Sequence, residues 1–166
     1  MTAQIAEKLI WNGETHTLCS QPLDDYLALL DEPPRFEAPS SALWRGYLGT
    51  WEIAGERLYL VALSGYLAGG DAATLELVFP DCSGRVFAHW FSGTLRIAQG
   101  KLLRYVHQAF ESRHERDALI EVESGIIKKS WVNINGQASD PRAPSAYGPG
   151  ALTIFARKAA STDEGE

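Results

Sequence analysis

Cysteine is scarce in this chain, which contains only Cys19 and Cys82. Two cysteines are too few for the disulfide framework of a small secreted domain, so they predict a reducing, cytoplasmic location with two buried or inert thiols. One Cys19–Cys82 bridge remains the alternative. No apolar run approaches the roughly 20 residues of a membrane span, and the N-terminus has no apolar signal-peptide core. We therefore expect neither a membrane partner nor secretion.

Basic charge is in deficit, since 15 Lys and Arg face 21 Asp and Glu, for a net charge of −6. Broad binding to a phosphate backbone needs clustered Lys and Arg, so the deficit argues against a nucleic-acid partner. An acidic protein stays soluble, and its charge also permits a basic protein partner.

Catalytic and cofactor motifs are lacking as well. Ser64, Ser92 and Ser112 have no nucleophile-elbow context, and no glycine-rich phosphate loop occurs. The sequence assigns no catalytic residue and no cofactor, and it favours a protein that is not an enzyme.

Histidines offer the one metal-site alternative. His89, His107 and His114 lie close in sequence and have Glu111 and Glu115 near them. Their spacing matches none of the usual zinc-ligand patterns, so separate strand and loop histidines are the favoured reading. We predict no resident metal, and a metal-assisted enzyme that uses these histidines is kept only as an alternative.

Residues 44–63, WRGYLGTWEIAGERLYLVAL, form the most informative stretch of the sequence. Alternation around Trp51 and Ile53 predicts a strand, Gly55 predicts a turn, and the apolar run that follows predicts a second strand. A weaker copy recurs downstream, where residues 93–98 resemble residues 49–54. We therefore predict a possible internal repeat over residues 44–66 and 88–110, each copy a hairpin.

The N-terminal part predicts one hairpin and the only helix. Asn12-Gly13 between two strand-like runs, residues 5–11 and 14–19, is a strong hairpin signal. Apolar residues at helical spacing then predict a helix over residues 21–31, with Ser20 as its cap.

The remaining segments predict more strands. We expect strands at residues 75–79, 86–91 with 93–97, and 101–110, the last preferred over a helix. A hairpin over residues 120–134 would place Val122 opposite Ile127, and Glu121 opposite Lys128. A long loop follows at residues 136–150, then a closing strand at 152–156 and an acidic, disordered tail at 157–166.

These elements predict one mainly β domain over residues 1–156. The expected architecture is an antiparallel hairpin meander or partly closed barrel with one N-terminal helix.

Aromatic residues suggest where a partner would bind. Trp44, Arg45 and Tyr47 precede the central hairpin and Trp90 precedes its copy. These residue types are favoured at binding hot spots, although aromatic residues also fill β cores. We take these four residues as a tentative binding set, together with two histidines, His107 and His114.

The patterns W-x-G-Y-x-G-x-W-x-I, in residues 44–53, and W-F-S-G-x-L-R-I-x-x-G, in residues 90–100, resemble those of a group of small uncharacterised bacterial proteins. The resemblance covers residues 9–132 and implies a bacterial protein. That group has no established activity, so the resemblance implies no functional residue. Residues 136–156 fall outside it.

The functional prediction is a non-enzymatic protein-interaction protein, such as an immunity or accessory factor. The alternatives are a small-ligand-binding β-barrel and the histidine-based enzyme. Pairing through an exposed sheet edge would also permit a homo-oligomer.

Overall fold

The computed structural model describes residues 4–105, 110 and 112–143. Its elements follow one another in the order β1 (Glu7–Trp11), β2 (Glu14–Leu18), α1 (Pro22–Leu27), β3 (Tyr47–Ala54), β4 (Arg57–Gly65), α2 (Leu75–Val78), β5 (Val86–Phe87), β6 (Gly93–Arg104), β7 (Arg113–Glu123) and β8 (Ile126–Ile134). No helix in these ranges is long and apolar enough to cross a membrane.

Seven strands close into a mixed barrel. Their order around the barrel is β4, β3, β1, β2, β6, β7, β8, and β8 returns to β4 through the pair Arg57–Ile126. The short strand β5 pairs with β4 next to this junction. Among the described pairs, only β1–β3 is parallel. The prediction of a mainly β, partly closed barrel is confirmed, and the structure adds its closure and its one parallel pair.

Three two-residue glycine turns have the same geometry. Asn12-Gly13 joins β1 to β2, Gly55-Glu56 joins β3 to β4, and Ser124-Gly125 joins β7 to β8. All six residues have positive φ, as type I′ turns require. The predicted N-terminal hairpin is therefore confirmed.

The strand–turn–strand prediction for the central stretch is also confirmed, since β3 and β4 form a hairpin. Its inward residues Tyr47, Trp51, Leu58 and Leu60 are buried in the main core. Full burial of each leucine stabilises the fold by about 1.5–3 kcal/mol relative to exposure.

The predicted register of the last hairpin is correct near its turn, where Val122 pairs with Ile127. A bulge then shifts the register, so Glu121 pairs with Lys129 and not with Lys128. The cross-strand ion pair survives the shift, with 3.3 Å between Lys129 Nζ and Glu121 Oε2.

The hairpin predicted for the second copy is wrong. β6 runs through Gly100 without reversing and pairs with β7 on both sides of that glycine. Gly100, at φ 77°, sits in a bulge where the register shifts between Gln99 and Leu102. The Glu115 carboxylate accepts the N–H of Lys101 there at 2.7 Å. The preference for a strand at residues 101–110 is confirmed as far as Arg104.

Two other strand predictions are wrong. Residues 75–78 form α2, because Leu75 and Val78 turn the same face to the core at a spacing of one helical turn. The strand predicted at 86–91 ends at Phe87, and the chain then turns, with Phe91 N–H donating to the Ala88 carbonyl.

The predicted helix is shorter than expected and ends at Leu27. Ser20 does not cap it; the Ser20 hydroxyl accepts the Arg96 N–H at 3.0 Å instead. The predicted closing strand, residues 144–150 of the long loop and the acidic tail lie outside the described residues.

Candidate functional site

The tentative binding residues at the start of β3 do not form one surface. Trp44 is 52% exposed, whereas Tyr47 is buried and its hydroxyl donates to the Asp24 carboxylate. Arg45 is half-buried, and its Nη2 donates to the Ile5 carbonyl at 2.8 Å. Only Trp44 is available to a partner, so a hot spot made of all three residues is wrong.

The three histidines do not assemble in the described structure. His107 lies outside the described residues, His89 is exposed beyond β5, and His114 is buried near the start of β7. β7 runs away from His114 and ends at the turn that contains Gly125, which lies beside Ala88, the residue before His89. About 30 Å of strand therefore separates His114 from the end of β7 near His89. Within the described ranges, no group of three or more metal-ligating side chains could hold an ion.

His114 is held in its neutral form. Burial and, to a smaller extent, the Arg96 charge together lower the pKa of His114 from 6.5 to about 4, against an opposing effect of Asp117. A buried histidine of this kind belongs to the core of the barrel wall and is not exposed to a partner.

A buried carboxylate that the sequence reading missed lies inside the barrel. Glu7 is 1% exposed and accepts the backbone N–H of Gly49. Burial raises the pKa of Glu7 from 4.5 to about 7, although Arg45, the Gly49 N–H and the Trp51 indole favour its charged form. The signal was present in β1, where Glu7 alternates in phase with the buried Leu9.

Gly49 is required beside this carboxylate. A Cβ at that position would lie 2.6 Å from Glu7 Oε2 and 2.8 Å from Trp51 Nε1. The close approach of β3 to β1 therefore depends on a missing side chain, and it leaves Glu7 enclosed by backbone and indole. Glu7 is a structural group of the barrel interior with an unusual protonation equilibrium.

One accessible concavity of the described structure is a groove beside β5. It has a volume of about 410 Å³ and is open along one side. We call it the aromatic groove and define it by six of its lining residues: Tyr26, Phe79, Cys82, Arg85, Phe87 and His89.

Three separate segments build the aromatic groove. Tyr26 comes from α1, Phe79 follows α2, and Phe87 belongs to β5. The rings of Tyr26 and Phe79 lie 4.6 Å apart at their centroids. Because these residues are distant in sequence, no local pattern could reveal the groove.

Trp90 supports the aromatic groove from behind. Its ring stacks on Phe79 at 5.7 Å and packs against Tyr26 at 4.9 Å, and its indole N–H donates to the Pro22 carbonyl at 2.9 Å. Trp90 thus fixes α1 against the segment that carries Phe79. Of the proposed binding residues that the structure describes, it is the one that contacts residues of the groove.

A fixed cation borders the aromatic groove. The Arg85 guanidinium lies 3.9 Å from the centroid of the Tyr59 ring, and its Nη1 is 3.9 Å from Glu52 Oε1. The Arg85 side chain is still 50% exposed, so it can also donate to a bound group. The apolar side chain of Leu77, 43% exposed on α2, lies next in sequence to a groove residue, Val78.

Comparison with protein-family models, with curated proteins and with solved structures gave no match to this chain.

Proposed function

We propose that this chain is a non-enzymatic interaction protein, and that its aromatic groove receives an apolar or aromatic side chain of another protein. The observation that carries the proposal is the groove itself, an open concavity lined by three aromatic rings and bordered by Arg85. The proposed class is the one predicted from the sequence, whereas the proposed surface differs from the one predicted.

The composition of the groove favours a protein partner. Tyr and Arg are enriched at interface hot spots, and a hot spot is commonly an anchor side chain seated in a well-packed pocket. Trp90 holds two of the rings in place, so little side-chain freedom is lost when a partner binds. The net charge of −6 favours a partner whose surface around the anchor is basic.

A small apolar ligand is the second candidate. The groove volume of about 410 Å³ falls within the roughly 300–1,000 Å³ of small-molecule sites. The group resemblance, a bacterial origin and a cytoplasmic location remain predictions that go with either candidate.

A site-specific photocrosslinker tests the proposal. We expect a benzoylphenylalanine at position 89, in the groove, to crosslink a single partner in cells of the source organism. The matched control places the same residue at position 14, which is exposed on β2. Equal crosslinking from both positions would mean that the groove is not the interface.

The captured partner is then tested with purified components. Phe87→Ala is expected to weaken its binding at least about tenfold, as for loss of a hot spot, whereas Glu14→Ala should leave the dissociation constant unchanged. Absence of any crosslink from position 89, with a small molecule retained on the purified chain in native mass spectrometry, would replace the protein partner with the ligand candidate.

A further inference from the structure

Within the residues that the structure describes, one edge of β8 has no strand partner over most of its length. On the side away from β7, β8 pairs with β4 only at Ile126, and the last backbone bond on that side runs from Ile127 N–H to the Glu56 carbonyl. Along residues 128–134, no other described strand pairs with that side. In the described part of the chain, their backbone N–H and C=O groups on that side therefore form an unpaired sheet edge.

Large apolar side chains accompany this open edge. Trp131 is 37% exposed, Val132 is 53% exposed and Ile134 is 80% exposed. Val132 pairs with the buried Ala118, so it points to the face that elsewhere covers the barrel interior. Among the described residues, no further strand covers this apolar side chain on that face.

The two lysines of the edge are already paired within the chain. Lys129 Nζ lies 3.3 Å from Glu121 Oε2, and Lys128 Nζ lies 4.0 Å from Glu123 Oε2. Lysines on an edge strand normally oppose pairing with another strand. Here the neighbouring carboxylates offset much of that charge, which leaves the edge able to accept a strand.

We propose that the open edge of β8 pairs antiparallel with the same edge of a second copy of this chain, with Trp131 on the two-fold axis. Residues 128–134 have Trp131 at their midpoint, so this register is the one that uses the whole free segment. It places Lys129 opposite Asn133 of the other copy, and Lys128 opposite Ile134, so no lysine faces a lysine. A register centred on Lys129 would oppose like charges.

A second copy fits the edge better than an unrelated strand because the pairing is self-complementary. The two-fold arrangement brings the exposed Trp131 rings of both copies together on one face and lays Val132 beside Ser130 of the other copy on the opposite face. Apolar side chains are therefore partly buried on both faces of the sheet. It also uses both open edges at once, so the assembly stops at a dimer. This contact involves β8 alone and does not depend on the aromatic groove.

Sedimentation of the full chain tests the proposal. We expect a reversible monomer–dimer equilibrium between about 1 and 500 µM, because an interface of one strand pair is small and therefore weak. Trp131→Lys places two lysines on the two-fold axis and should leave only monomer. Trp44→Lys is the matched control, since it replaces another exposed tryptophan with the same charge and should leave the equilibrium unchanged.

Disulfide crosslinking tests the register. In a Cys82→Ser background, Trp131→Cys should form a covalent dimer on mild oxidation, because the two-fold axis brings position 131 opposite itself. Lys129→Cys should not, because the two copies of position 129 are offset along the strands by four residues, about 13 Å.

Each other result overturns the proposal. A chain that is monomeric at every concentration rules out the dimer, and a dimer that Trp131→Lys leaves intact uses another surface. Equal crosslinking at positions 129 and 131 rules out the register. Circular dichroism of each variant verifies that lost association is not lost folding.

Discussion

At the residue scale, Glu7 couples the barrel interior to pH. The folded state prefers the protonated carboxyl, because burial raises the pKa of Glu7 from 4.5 to about 7. The stability from this preference is complete below pH 4.5, declines as pH rises from 4.5 to 7, and is absent above pH 7. The difference amounts to about 3 kcal/mol by linkage.

Glu7→Gln should remove the loss of stability that the Glu7 carboxyl causes as pH rises. Gln still offers an oxygen to the Gly49 N–H but carries no charge. We therefore expect the free energy of unfolding of the variant at pH 8 to exceed that of wild type by up to about 3 kcal/mol. The two proteins should be nearly equal at pH 4.5. Urea unfolding at both pH values measures the difference.

Glu37→Gln is the matched control, since Glu37 is exposed. It makes the same chemical change at an exposed position, so the effect of Glu7→Gln at each pH is compared with it. If Glu7→Gln were no more stable than wild type at pH 8, the carboxyl would not be protonated in the barrel as inferred.

At the scale of elements, the β7–β8 turn closes the barrel. Gly125 donates its N–H to the Phe91 carbonyl at 2.9 Å, and its carbonyl accepts the Leu58 N–H at 2.8 Å. A Cβ on Gly125 would lie 2.7 Å from the Ala88 carbonyl oxygen and 2.7 Å from the ring of Phe87. The turn therefore contacts both β4 and the segment around β5, and Phe87 of that segment lines one side of the aromatic groove.

Gly125→Ala should destabilise the fold far more than Gly13→Ala. Both glycines occupy the same position of a type I′ turn, at φ 80° and 76°, so both substitutions cost about 1–2 kcal/mol of backbone strain. Nothing lies within 4 Å of a Cβ on Gly13. We expect Gly125→Ala to cost about 2 kcal/mol more, because backbone must move to relieve the collision.

Urea unfolding of the two variants at one pH measures this difference. Equal losses would mean that the Gly125 turn shifts freely and does not hold the barrel closed.

At the scale of the whole molecule, two buried groups affect stability in opposite directions. Folding lowers the pKa of His114 from 6.5 to about 4. The stability that the neutral His114 contributes is therefore complete above pH 6.5 and is lost as the pH is lowered through 4. The Glu7 contribution changes the other way between pH 4.5 and 7. Over pH 4.5–6.5 the two effects, each about 3 kcal/mol in total, largely cancel.

Single variants should reveal the pH dependence of stability that each group, Glu7 or His114, causes by itself. We expect Glu7→Gln to gain stability as pH rises from 4 to 6.5, and His114→Gln to lose stability as pH rises from 4.5 to 7. Wild type should be nearly flat over the shared range. Urea unfolding in small pH steps gives the slopes, and variants that kept the wild-type slope would exclude these groups as its source.

Much of the local structure was predictable from the sequence. Asn12-Gly13 specifies a type I′ turn because both residues tolerate positive φ, and alternation around Trp51 specifies a half-buried strand. Residues 75–78 were not predictable, because a short apolar run is compatible with either helix or strand until the core decides which face it needs.

The candidate site was less predictable. Trp90 was identified from its residue type, and it does contact the aromatic groove. Tyr47 was misjudged because the same aromatic residues serve interfaces and cores, and only the packing of β3 separates the two uses. Phe79, Arg85 and Phe87 carried no pattern of their own.

The sequence by itself determined the fold class, the turns at local glycines and the acidic charge, since each depends on neighbouring residues or on composition. Only the tertiary structure decided the parallel β1–β3 pair, the closure of β8 on β4, the burial of Glu7 and the assembly of the aromatic groove. These features join segments that are distant along the chain. The packing of the whole barrel selects such contacts, and no local propensity encodes them.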